Sequence, residues 1–139
     1  MEISDLVLAH FQQVLSDLKA EAEARQGKHD WGTPPSVLVV EQRQPSSHAD
    51  FNTGMTIRRW RVAVSTVTAM TIDEELPTAN RVGMYYDYGK ADFAISADAT
   101  SVRIGWQVGP RYGRGYDLPL EYVEGAPVRF GARKELWVS

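Results

Sequence analysis

Arginine is the residue type of this sequence that is best suited to contact chemistry. Eleven of the 15 basic residues are arginine, and a guanidinium group is planar, weakly hydrated and able to bind a carboxylate or phosphate through two hydrogen bonds. Several arginines alternate with small side chains at the two-residue period of a β-strand. The positions that share this parity are Arg59, Arg61, Arg81, Tyr85, Arg103, Arg129 and Arg133. The pattern predicts one sheet face rich in arginine, which we call the arginine face.

Two interpretations of the arginine face are open. In the first, its arginines pair with carboxylates on neighbouring strands and form an ordinary solvated face, as is usual for antiparallel sheets. The carboxylates available for this pairing are Asp87, Asp92, Glu121 and Glu135. In the second, the face binds an anionic partner. A single β-bulge would turn some of these residues to the opposite face and change either interpretation.

Residues 109–115 form a second candidate contact site. Their sequence, GPRYGRG, has three glycines and carries Arg111, Tyr112 and Arg114. Glycine permits close backbone approach, and binding residues concentrate on loops held by rigid elements. The segment differs from a phosphate-binding loop because it lacks the lysine and the strand-to-helix context. We predict a hairpin tip that contacts an anion or a protein, with a wide solvated turn as the alternative.

Residue patterns for catalysis or metal binding are sparse. The absence of cysteine excludes thiol catalysis, disulfides and Cys-ligated metals. His29 with Asp30, and His48 with Asp50, fall in predicted loops and lack ligand spacing on a shared element. His10 borders the apolar stripe of a predicted helix, which is typical of packing at the edge of a core. The serines lack a Gly-x-Ser-x-Gly elbow. We therefore expect a protein that is not an enzyme and has neither metal nor cofactor.

One helix and a run of strands must position these side chains. Apolar residues between positions 6 and 18 recur at i, i+3 and i+4, which predicts a helix over residues 4–26 with Ser4 as its N-cap. After Pro35 the period changes to two. The predicted strands are 36–43, 55–69, 81–88, 92–97, 101–108, 116–123 and 128–138, with one helical turn at 72–76.

These elements predict an α+β fold. The helix would pack on one face of a mostly antiparallel sheet of about six or seven strands, because no helices separate the strands as a parallel sheet requires. One parity of the strands is apolar and should face the helix: Trp60, Val62, Val64, Val82, Met84, Tyr86, Tyr88, Phe93, Ile95, Val102, Ile104, Trp106, Leu118, Leu120, Tyr122, Val128, Phe130, Leu136 and Val138. The chain of 139 residues fits a single domain over residues 1–139.

The composition limits the classes of partner that we expect. A formal charge of −3 argues against a general nucleic-acid coat protein. No apolar run approaches the roughly 20 residues that span a bilayer, and the first residues lack the basic start of a signal peptide. We expect a cytoplasmic location, no membrane contact, and a partner that is either a protein with an acidic surface or another copy of this chain.

The hypothesis most consistent with these observations is a small non-enzymatic protein-binding or inhibitor module. An immunity protein that neutralises a toxin is an example by analogy only. Its contacts would come from the arginine face and from residues 109–115, because arginine, tyrosine and tryptophan dominate binding hot spots. The alternative is a structural protein that assembles with itself, as small virion components do. A small-molecule carrier or enzyme with a pocket between helix and sheet is a third possibility.

Overall fold

The computed structural model describes residues 2–24, 34–45, 55–71, 88–109 and 112–138. In these ranges it contains one helix, α1 (Ile3–Ala24), and eight strands: β1 (Val37–Arg43), β2 (Thr56–Ala63), β3 (Val67–Met70), β4 (Tyr88–Ile95), β5 (Ser101–Gly109), β6 (Tyr112–Val123), β7 (Ala126–Phe130) and β8 (Lys134–Val138). This architecture confirms the predicted α+β fold. The predicted turn at 72–76, and all but the last residue of the strand predicted at 81–88, lie outside the described residues.

The helix begins one residue earlier than predicted and is capped by a different side chain. Ser4 lies inside the first turn rather than at the N-cap. The carboxylate of Asp5 accepts a hydrogen bond of 3.0 Å from the backbone N–H of Glu2, which is the reciprocal contact of a capping box. The buried stripe consists of Val7, Leu8, Phe11, Val14, Leu15, Leu18 and Ala22. No helix in the described ranges is long and apolar enough to cross a membrane.

The strands form one sheet in the order β3-β2-β1-β4-β5-β6-β7. At the free edge of β6, the C-terminal half pairs with β7 and the N-terminal half pairs with β8. All neighbouring pairs are antiparallel except β1 and β4, which run parallel. Two parallel neighbours must be joined by a long connection. Here the connection from β1 to β4 includes the β2–β3 hairpin and residues 72–87. The prediction of a mostly antiparallel sheet is therefore confirmed, with one parallel pair that it did not include.

Three predicted segments have different boundaries. The strand predicted at 55–69 is two strands, since Ala63 N–H donates to the Thr66 carbonyl at 2.8 Å and closes a turn. The strand predicted at 128–138 is also divided, because β7 ends at Phe130 and pairs with residues 120–123 of β6, whereas β8 begins at Lys134 and pairs with residues 114–117. Most of the predicted glycine-rich turn belongs to a strand, since β6 already begins at Tyr112.

One face of the sheet, the inner face, packs against α1. Its buried residues include Leu38, Val40, Trp60, Val62, Phe93, Val102, Ile104, Trp106, Tyr116 and Leu118, which confirms the predicted alternation over the central strands. Tyr88, also predicted on this face, lies on the opposite side, because its register places it beside Val37 and in line with Lys90 and Asp92. Five further residues predicted on this face are exposed: Val64, Tyr122, Val128, Leu136 and Val138. Val64 lies in the β2–β3 turn, and the other four belong to the end of β6 and to the two short strands that follow it. The opposite side of the sheet is the outer face.

Candidate functional site

A single row of residues crosses the outer face, and part of this row lines a cleft. Cross-strand register places these residues side by side, from β2 to β8: Arg59, Glu41, Asp92, Gly105, Gly115 and Trp137. The row therefore has charged side chains at one end, two glycines in the middle and an indole at the other end. The resulting cleft has a volume of about 370 Å³, with Lys90 and Gln107 also lining it. We call it the outer cleft.

The charged wall of the outer cleft is a hydrogen-bonded network around Arg43. Its Nε donates to Asp92 Oδ2 at 2.9 Å and its Nη2 donates to Glu41 Oε2 at 3.0 Å. The hydroxyl of Thr56 donates to the same Glu41 oxygen at 2.7 Å. Arg59 Nε lies 3.5 Å from the other oxygen, Oε1. Oε2 of Glu41 thus accepts two hydrogen bonds, and Oε1 faces the charge of Arg59 at the longer distance.

Asp92 is the member of this network with an oxygen left for the cleft. Its side chain is only 14% exposed, and no described residue donates to Oδ1. Burial raises the pKa of Asp92 to about 7, against the opposing effect of Arg43, while the nearby negative charge of Glu41 adds to the increase. A carboxyl group that is partly protonated near neutral pH can both donate and accept a hydrogen bond. Perturbed carboxyl groups in clefts are candidates for functional sites.

The opposite wall is aromatic. A Cβ atom added to Gly115 would lie 2.0 Å from Nε1 of Trp137, so the indole rests directly on the glycine backbone. Gly105 lies beside Gly115 on the neighbouring strand and lines the cleft, so the floor between Asp92 and the indole carries no side chain there. Trp137 is 36% exposed, which leaves part of its ring available to a ligand. No sequence pattern pointed to this wall, because the three residues are far apart in sequence.

Most arginines predicted for the arginine face are paired within the sheet. Arg103 donates from Nε and Nη2 to the two carboxylate oxygens of Asp117, at 3.0 and 3.2 Å. Arg129 pairs with Glu121, and Arg59 lies beside the Glu41 carboxylate. This favours the interpretation of an internally neutralised face. Arg43 was not among the contact residues predicted from the sequence, yet it is the arginine nearest the centre of the site.

Arg61 is the exception among the described arginines of this face. It is exposed on β2 opposite Val39, and no carboxylate in the described ranges lies within 4.0 Å of it. Arg81, Tyr85 and Arg111 are also predicted contact residues, and they lie outside the described residues.

Arg133 and Arg114 lie on the other side of the sheet from the arginine face. The guanidinium of Arg133 is 4.1 Å from the ring centroid of Tyr116, a buried inner-face residue. Arg114 shares the parity of Tyr116 on β6, and it is 3.9 Å from Glu135. The predicted placement of Arg133 on the arginine face is wrong because a bulge in the β6–β8 pairing changes the parity there. The predicted loop position of Arg114 is wrong because β6 includes it.

Tyr112 also lies on β6, at its first residue, rather than at a loop tip. Its ring centroid is 5.8 Å from that of Trp106. The predicted contact site at 109–115 is therefore divided in the described part of the chain: Tyr112 packs beside the core, and Arg114 joins the ion pair with Glu135.

His10 belongs to a buried hydrogen-bond chain between α1 and the sheet. Trp106 Nε1 donates to the Tyr116 hydroxyl at 3.2 Å, and this hydroxyl lies 2.6 Å from His10 Nε2. Burial, and then the charge of Arg133, lower the pKa of His10 to about 4, against a small opposing effect of Asp17. The imidazole is therefore neutral at pH 7, and the tautomer of its ring decides which of His10 and Tyr116 donates in this hydrogen bond. This chain satisfies polar atoms inside the core and does not open to the outer cleft.

Metal-ligand geometry is not present in the described part of the chain. No group of three or more histidine, aspartate or glutamate side chains there could hold a metal ion. The candidate loop residues His29, Asp30, His48 and Asp50 lie outside the described residues. Comparison of the chain with protein-family models, curated protein sequences and solved structures finds no match. Function must therefore be argued from the geometry of the molecule.

Proposed function

We propose that this protein is a non-enzymatic module that binds an extended, acidic segment of another protein along β8. One observation carries the proposal: all five residues of β8 are exposed, and β8 pairs only with β6 among the described strands. The outer edge of β8 therefore presents unpaired backbone N–H and C=O groups. Strand addition to such an edge is a recurrent mode of peptide recognition, in which backbone hydrogen bonds supply affinity.

The side chains of β8 support this role. Leu136, Trp137 and Val138 are 40%, 36% and 66% exposed, although they are large and apolar. Soluble proteins usually protect an edge strand with charges, proline or a covering loop, because an open apolar edge promotes association. Tryptophan is also among the residues enriched at binding hot spots. An edge with this composition is consistent with one that is covered by a partner.

The charge around β8 favours an acidic partner. Arg114, Arg133 and Lys134 lie around Glu135, whose carboxylate is 3.9 Å from each arginine. Asp117 is opposite Lys134 in the β6–β8 pairing and is paired with Arg103, so four positive charges against two negative charges leave a local excess of positive charge. Complementary charge speeds encounter and fixes register more than it adds affinity. The arginines of the arginine face contribute less to this proposal, because Arg103 and Arg129 are already paired with carboxylates of their own sheet.

The non-enzymatic part of the proposal is supported by the state of two buried ionisable groups, His10 and Glu41, whereas Asp92 keeps an oxygen that faces the outer cleft. His10 is buried in the core, bonded to Tyr116 and uncharged at neutral pH. Glu41 is held by Arg43 and Thr56. Neither group is available to move a proton on a substrate in the outer cleft.

The test compares two edge variants. Val138→Glu places a charge on the β8 edge, and Val67→Glu makes the matched change on the exposed β3 edge at the other end of the sheet. Proteins captured from native lysate by the wild type and by Val67→Glu, but not by Val138→Glu, are tested as purified partners. We expect one to bind with a salt-dependent affinity, and to protect β8 amides from hydrogen exchange. Capture that is equal for all three forms, or binding without protection of β8, would contradict the proposal.

Self-assembly is the second candidate function, and a specific observation favours it. Among the described strands, β3 pairs only with β2, as β8 pairs only with β6, and Val64 and Val67 are exposed at the β3 end. Two complementary edges of one sheet allow head-to-tail pairing that closes into a ring. Light scattering distinguishes the two functions. A ring that is dissolved by Val138→Glu and equally by Val67→Glu would favour assembly, whereas a monomer supports recognition of a different protein.

A further inference from the structure

The outer cleft has the features of a small-ligand site that the proposed function does not use. Its volume of about 370 Å³ falls in the range of roughly 300–1,000 Å³ that is typical of ligand pockets. Its floor includes the backbone of Gly105, between Asp92 and the Trp137 indole that rests on Gly115. Its walls are made by rigid strands rather than by loops, and the Arg43 network fixes one of them.

The polar atoms facing the cleft are few and directional. Asp92 Oδ1 receives no hydrogen bond from any described residue, and the side chain retains 14% exposure. Gln107 donates its amide N–H to the Gly109 carbonyl at 3.2 Å, which leaves its side-chain oxygen as an acceptor. Gln107 and Gly105 are on the same side of β5, about 7 Å apart along the strand. Two acceptors on one side and an indole on the other would fix the orientation of a ring between them.

The charges of the cleft disfavour an ionic ligand. An anion would meet the carboxylates of Glu41 and Asp92, and a cation would meet Lys90 and the guanidinium of Arg43. A neutral ligand avoids both conflicts. The raised pKa of Asp92 suits such a ligand, since a partly protonated carboxyl group can exchange hydrogen bonds with hydroxyl groups in either direction.

We propose that the outer cleft binds a sugar ring. A sugar ring is neutral, carries adjacent hydroxyl groups that suit Asp92 and Gln107, and has an apolar C–H face that packs against Trp137. Carboxylates bind ribose hydroxyls in this way in nucleotide-binding folds. The sugar site shares Trp137 with the strand addition proposed at β8. Asp92 and Gly105 lie two or more strands away from that edge, so variants at these two positions test the sugar site separately.

Saturation-transfer NMR and calorimetry with the full chain test the proposal. The probes are D-glucose, D-mannose, D-galactose, N-acetyl-D-glucosamine, D-ribose, adenosine and adenine. We expect at least one sugar to bind in the range of about 1 mM, which is reasonable for a ligand of about a dozen heavy atoms. Binding of pyranoses identifies a saccharide source, and binding of ribose and adenosine without pyranoses identifies a nucleoside source. Either result supports the proposal.

Two variants localise the binding. Gly105→Val fills the floor of the cleft, and valine suits this position because Gly105 does not have a positive φ angle. Asp92→Asn keeps the shape of the carboxyl group but changes its hydrogen bonding. We expect each change to weaken sugar binding about tenfold or more, as the loss of a well-placed contact does. Thermal melting checks that each variant is folded, and the Asp92→Asn variant keeps the test valid if Gly105→Val does not fold.

Three results would overturn the proposal. The first is the absence of binding by any sugar at about 10 mM. The second is equal affinity for adenine and adenosine, since the ring recognised would then be the base. The third is sugar binding that is unchanged in both variants. Capture of a protein partner by β8 is expected to continue in Gly105→Val and Asp92→Asn, so failure of the sugar proposal and failure of the proposed function are distinguishable.

Discussion

Gly115 and Trp137 form a contact in which the absence of a side chain is essential. A Cβ at position 115 would lie 2.0 Å from the indole nitrogen of Trp137, a distance that forces the ring to move. We predict that Gly115→Ala destabilises the protein by about 1–3 kcal/mol, the usual cost of overpacking. Urea unfolding measures the loss. In a Trp137→Ala background the same change should cost little, and an equal loss in both backgrounds would show that the indole is not the cause.

Asp92 makes stability depend on pH in an unusual direction. Its pKa is about 7 in the folded protein and near 3.8 in the unfolded chain, so the folded state binds more protons between these values. The contribution of Asp92 to the free energy of unfolding is therefore fully present below pH 3.8, and it is lost as the pH rises through 7. We predict that the advantage of the wild type over Asp92→Asn shrinks by on the order of 1–3 kcal/mol between pH 4.5 and 7.5.

Urea unfolding of both proteins at several pH values measures this difference. The comparison with Asp92→Asn is necessary because His10 acts in the opposite sense. The pKa of His10 falls to about 4, so its contribution is present above pH 6.5 and is lost as pH decreases toward 4. His10 is common to both proteins, and its effect cancels in the difference. A difference that is constant with pH would contradict the raised pKa of Asp92.

At the scale of the element, the start of α1 depends on Asp5 rather than on Ser4. The Asp5 carboxylate accepts the Glu2 N–H at 3.0 Å, whereas the Ser4 hydroxyl makes only a long contact of 3.5 Å with the Glu2 side chain. We predict that Asp5→Ala costs about 1 kcal/mol, as the loss of a cap usually does, and that Ser4→Ala costs less. Thermal unfolding followed at 222 nm compares them. A larger loss of stability from Ser4→Ala than from Asp5→Ala would instead support Ser4 as the N-cap, as expected from sequence.

At the scale of the whole molecule, α1 and the central strands share one core. Trp106 is buried on the inner face and donates to the Tyr116 hydroxyl that also contacts His10 of α1. We predict that Trp106→Ala destabilises the chain by about 3–5 kcal/mol and that the wild type unfolds in one cooperative step. Far-UV and near-UV circular dichroism should give coincident transitions, with more strand than helix in the native spectrum. Two separate transitions would argue against a single domain over residues 1–139. Trp137→Ala, at an exposed site, is the matched control.

The sequence by itself determined the class of the fold. The change from a period of about 3.6 to a period of two is a local property, because each element repeats its own geometry along the chain. The alternation at Val102, Ile104 and Trp106 therefore identified buried positions correctly without knowledge of any neighbouring strand. The predicted binding roles of the arginines and of residues 109–115 stay predictions.

Only the tertiary structure decided strand order, register and the composition of the outer cleft. The parallel pairing of β1 with β4 joins segments that are far apart in the chain, and it places Glu41 beside Asp92. The bulge between Gly115 and Tyr116 in the β6–β8 pairing separates Trp137 and Arg133 onto opposite sides of the sheet. Register is set by pairing between distant strands, and a shift of one residue reverses every side chain. A period read along one strand therefore cannot show which residues meet across the sheet.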